Sequence, residues 1–61
     1  MKTFKRENLI DGGIVYRLYE GSYQIAAIFK SANYWVICGP RLHNNYCQKL
    51  ADAKSYALEN A

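Results

Sequence analysis

Cys38, His43 and Cys47 come nearest to chemistry in this chain, standing as C-x4-H-x3-C. Thiolate and imidazole are both zinc ligand types, and a structural zinc takes four ligands in a tetrahedron. No other Cys or His is present, so a carboxylate that the spacing does not single out would have to be the fourth ligand. The same two thiols could meet as a disulfide, a pairing that a reducing compartment disfavours. Two cysteines are in any case too few for a disulfide scaffold. His43 and Cys47 also stand four apart across a predicted helix start, where a thiolate is stabilised. Nothing supplies a third group to orient such a pair, and 61 residues leave little volume for a substrate pocket. Asp11-Gly12-Gly13 reads as a turn, and neither glycine-rich phosphate pattern, G-x-G-x-x-G or G-x-x-x-x-G-K-[ST], is present. We therefore expect no enzyme, no catalytic residue, no metal and no cofactor. Both cysteines read as small hydrophobes near a sheet–helix junction.

The elements that hold these residues centre on YQIAAIFKSANYWVIC, positions 23–38. It reads as two strands, 23–30 and 34–38, joined by Ser31-Ala32-Asn33. A strand over 14–19 precedes them through the turn Glu20-Gly21-Ser22. Gly39-Pro40 ends the sheet, because Pro40 lacks the N–H that a central strand needs. Residues 41–44 read as a polar loop. Asn44 or Asn45 can cap a helix over 46–60, and with Asn45 as cap Gln48 takes the capping-box position. At 100° per residue Tyr46, Cys47, Leu50, Ala53, Ala57, Leu58 and Ala61 gather on one side of that helix, and Tyr56 falls on the polar side. Lys54 lies at the edge of the apolar sector and would snorkel. The predicted fold class is α+β: a three-stranded antiparallel β-meander with one C-terminal α-helix packed on one face, a single domain over 1–61.

Residues 1–8 hold Lys2, Lys5 and Arg6 against Glu7 alone. They read as a loose terminus with Phe4 pinned to the body, or as a basic arm for phosphate or an acidic surface. Asn8-Leu9-Ile10 could instead be a short edge strand, with Asp11-Gly12 making a hairpin into the next strand. The net charge of +3 permits contact with nucleic acid or an acidic protein and demands neither. No apolar run approaches the roughly 20 residues of a membrane span, and no apolar stretch follows the basic N-terminal residues as in a signal peptide. We expect a cytoplasmic protein with reduced thiols.

One helix covers one face of such a sheet. The expected buried set is Tyr16, Leu18, Ile25, Ala27 and Phe29 under Leu50, Ala57 and Leu58. Val15, Arg17, Tyr19, Gln24, Ala26, Ile28 and Lys30 remain on the other face, with one register of the third strand. That face mixes aromatics, branched aliphatics and cations, as binding surfaces do. It points to a protein-binding module with contact residues Arg17, Tyr19, Lys30, Tyr34 and Trp35, types that dominate interface energy. The alternative partner is nucleic acid, its phosphates held by Lys2, Lys5, Arg6, Arg17, Lys30 and Arg41. A homodimer through the same face would enlarge a core that is small for one chain.

The order of three short strands followed by a helix of the L-A-D-A-K-S-Y-A-L-E kind, over 14–60, resembles small accessory proteins of phages and prophages. It is similar in strand and helix order to the arm-binding domains of phage integrases, though the glycine-bounded hairpin is not clear around 30–34. It also resembles anti-CRISPR proteins that set a small sheet on helical support and occlude a host nuclease complex. The resemblance implies a phage-type inhibitor or regulator, and no functional residue of either group carries over onto this sequence.

Overall fold

The computed structural model describes the backbone of residues 1–61 and every side chain except that of His43. Tight turns build the sheet. Five strands, β1 (Lys2–Asn8), β2 (Ile14–Glu20), β3 (Tyr23–Ser31), β4 (Tyr34–Gly39) and β5 (Leu42–Cys47), pair antiparallel in sequence order, and α1 (Leu50–Asn60) follows. The predicted meander and its helix are present, but the sheet has five strands where the sequence predicts three. Gly21 opens the β2–β3 turn at φ 63°, the positive value that a tight hairpin turn needs and that glycine adopts without strain.

The two added strands lie at the edges. β1 pairs along the whole of β2, from Lys2↔Glu20 to Asn8↔Ile14, so residues 2–8 are neither loose nor an arm. Phe4 stands opposite Leu18 and packs against the core. Pro40 does not end the sheet. It sits with Arg41 in the two-residue link between Gly39 and Leu42, where no ladder N–H is required. The segment expected as a polar loop and helix cap, with Asn44 and Asn45, is therefore strand β5. α1 starts later than predicted, with Lys49 as its N-cap and no side-chain capping bond.

A bulge sets the faces. β2 and β3 pair as Glu20↔Tyr23 and Tyr19↔Gln24, and then as Leu18↔Ala26 and Tyr16↔Ile28. Ile25 is the extra residue. A one-residue slip moves every later side chain to the other face. Ala26 and Ile28 thus join Tyr16 and Leu18 under the helix, whereas the expected Ala27 and Phe29 point away. The core gathers Leu18, Ala26, Ile28, Ile37 and Leu42 against Ala53 and Ala57. Tyr56 packs on this core and Leu58 is exposed, the reverse of the helical-wheel expectation. Ala53 and Ala57 mark the buried side of α1; Tyr56, three residues after Ala53, lies on that side, and Leu58 lies about 100° beyond Ala57.

α1 crosses the strands. The link Gln48-Lys49 starts it beside β5. At its far end the Lys2 ammonium donates to the carbonyl oxygens of Leu58 (3.1 Å) and Ala61 (3.4 Å). Lys54 does lie at the edge of the apolar side, its ammonium 4.5 Å from the Tyr16 ring centre and 5.5 Å from that of Phe4. Among the described residues no helix is long and apolar enough to cross a membrane.

Candidate binding face

The face of the sheet away from α1 has no second layer. Strand pairing fixes its side chains into rows, because directly opposed residues share a face. One row crosses all five strands: Glu7, Val15, Phe29, Val36 and Tyr46. The next runs Lys5, Arg17, Ala27 and Cys38, and Thr3, Tyr19 and Gln24 make a third. Ser31 and Tyr34 flank the first row on its other side.

The centre of this face is apolar. Val15 and Val36 are buried although no second layer of secondary structure covers them. Phe29 is 36% exposed between them, and Tyr34 and Tyr46 are 37% and 62% exposed. The two tyrosines meet edge to face with ring centres 5.0 Å apart, which holds both rings in place. At the other side the rim is charged. Arg17 donates to Glu7 Oε1 at 3.0 Å and to Gln24 Oε1 at 3.3 Å. Lys5 lies over the Tyr19 ring at 5.2 Å from its centre. A hollow of about 370 Å³ opens beside Leu9, Val15, Arg17 and Phe29. The loop behind it is held by Leu9 donating its N–H to the Gly13 carbonyl and by Gly13 donating to Asp11 Oδ1.

The five residues expected to contact a protein do not share a face. Arg17, Tyr19 and Tyr34 stand on the open face. Lys30 and Trp35 oppose each other on the helix side, with the Lys30 ammonium 5.8 Å from the Trp35 ring centre. Trp35 packs against the core and meets Tyr16 edge to face at 6.0 Å. Tyr34 is the aromatic that β4 offers to the open side. Sequence reasoning missed Val15, Phe29, Val36 and Tyr46 as one row. Their signal was the strand alternation itself, which the bulge at Ile25 inverts and which β5, read as loop and helix, lacked.

The six basic residues of the nucleic-acid alternative are divided. Lys5 and Arg17 lie on the open face and Arg17 is paired with Glu7. Arg6 opposes Tyr16 and Lys30 opposes Trp35 on the helix side, Lys2 is bound to the helix end, and Arg41 sits in the β4–β5 turn.

Cys38 and Cys47 are free thiols on opposite faces. Cys38 opposes Ala27, whereas Cys47 opposes Trp35 and packs on the core. They can neither bridge nor share one metal. The His43 side chain, on which both the zinc spacing and the Cys–His pair depend, lies outside the described residues. Among the described residues no group of three His, Cys, Asp or Glu side chains is placed to hold a metal ion. Compared with protein-family models, curated proteins and solved structures, the chain matches none.

Proposed function

We propose that this chain is a non-enzymatic binding module that engages a protein partner through the open face of its sheet, inside the cytoplasm, as a phage-type inhibitor or regulator would. One observation carries the reading: an apolar row of Val15, Phe29, Val36 and Tyr46 crosses a sheet face that α1 leaves uncovered. An apolar centre with a polar rim is the anatomy of a protein interface. Tyr19 and Tyr34 supply aromatic anchors on that face, and Arg17, already oriented by Glu7 and Gln24, loses little freedom on binding. A protein is favoured over nucleic acid because the cations are split between the two sheet faces, the helix end and the β4–β5 turn, and no continuous basic stripe tracks a phosphate backbone.

The test is retention of a partner from host lysate on immobilised protein, with nuclease and high salt in parallel. A discrete protein should be retained through both treatments. Tyr19→Ala and Tyr34→Ala should each weaken retention about tenfold, the loss of about 1.4 kcal/mol expected of an interface aromatic, with the melting temperature little changed. Loss of all retained material on nuclease treatment or at high salt overturns the reading in favour of nucleic acid. Trp35→Ala serves as the contrast, because it should act through stability.

A further inference from the structure

The two edges of the sheet differ in kind. β1 carries Lys2, Lys5, Arg6 and Glu7, three cations against one carboxylate, and so holds two of the net +3 charges. β5, LHNNYC, contains no Lys, Arg, Asp or Glu. Exposed strand edges attract other strands, and natural sheets blunt them with charge, proline or bulges. β1 is protected in this way. The register shift of β5 lies at its Leu42 end, and from Asn45 to Cys47 it runs in regular register with β4.

We propose that β5 pairs antiparallel with β5 of a second copy of this chain, joining two five-stranded sheets into one of ten strands. One symmetry argument and two observations select a second copy as occupant. Antiparallel pairing of identical strands about a two-fold axis is self-complementary, so both copies satisfy the same backbone groups and the assembly closes. The basic β1 edges are then carried to opposite ends, about 40 Å apart at roughly 4.8 Å per strand and well beyond the screening length, whereas β1–β1 pairing would set like charges face to face. The helix does not obstruct the axis. α1 starts beside the Cys47 end of β5 and leads away across the sheet towards Lys2. An antiparallel mate places its own helix start at the opposite end of the joint. The two-fold axis stands normal to the sheet, so both helices lie on one side. The two open faces then lie on the same side of the joined sheet and become one surface of twice the width. This inference is independent of what that surface binds.

The test uses the purified chain alone. Sedimentation equilibrium up to about 0.5 mM, a range that captures even weak association, should show a species of about 14 kDa, twice the 7.0 kDa chain. Amide exchange should slow with concentration at positions 44–47 and stay unchanged along β1. The double variant Asn44→Lys/Tyr46→Lys, which charges the exposed side chains of β5, should weaken the dimer at least about tenfold. Thr3→Lys on the opposite edge should leave it intact. Should the double variant fail to fold, the exchange pattern of the unmodified chain decides. A 7.0 kDa species at every concentration overturns the proposal and leaves the edge to a foreign strand. Protection confined to β1, an open-ended polymer, or a dimer unchanged by the double variant overturns it equally.

Discussion

A Cβ at Gly39 would lie 2.6 Å from the Ile25 carbonyl oxygen and 3.2 Å from the Ala26 Cα. Both neighbours are backbone, so neither can swing aside. The β3 bulge pushes the Ile25 carbonyl towards β4, and Gly39 leaves the space for it. Gly39→Ala should therefore destabilise by at least about 2 kcal/mol, as overpacking against a fixed wall does, read as a lower urea midpoint at unchanged m. Ala32 shows the opposite situation. It is exposed in the β3–β4 turn at φ 55°, the left-handed region that costs an L-residue about 1–2 kcal/mol. Ala32→Gly should remove that strain, less the greater entropy of an unfolded glycine. The expected net gain of about 0.5 kcal/mol would raise the melting temperature by about 2–4 °C.

At the scale of elements, α1 depends on help from outside itself. Its first turn has no side-chain cap and its last turn has no basic residue. The Lys2 ammonium, from the far edge of the sheet, satisfies the Leu58 and Ala61 carbonyls and meets the negative end of the helix dipole. Lys2→Met keeps the stem and removes the charge. It should cost about 0.5–1 kcal/mol at low ionic strength, and a denaturation series in rising salt should shrink the difference. This contact also shows what the sequence made legible. β2, β3, β4 and a C-terminal helix were visible because their alternation and propensity agree with their burial. β1 and β5 were not, because an edge strand pairs on one side only. β1 has one inward apolar residue of bulk, Phe4, and the Asn44-Asn45 pair of β5 has the chemistry of a helix cap. The open face was anticipated as a surface but misread in membership, since the faces of β3 hang on one unpaired residue, Ile25. Nothing in the local pattern distinguishes a bulge there from a regular strand.

Taken whole, the molecule is one sheet with α1 crossing one face and the other face bare. The two thiols, Cys38 and Cys47, are separated by the sheet itself. What is held together is a surface, with rigid aromatic groups at one end and a salt-bridged rim at the other. Each strand lies next to its neighbours in sequence, and the bond from Lys2 to the helix end brings residue 2 beside residue 61. The fold is thus topologically close to a ring. A bridge of about four residues, at roughly 3.3 Å each, would reach from Ala61 to Met1. A chain so joined and reopened at the Gly21-Ser22 turn would keep every strand beside the same neighbours.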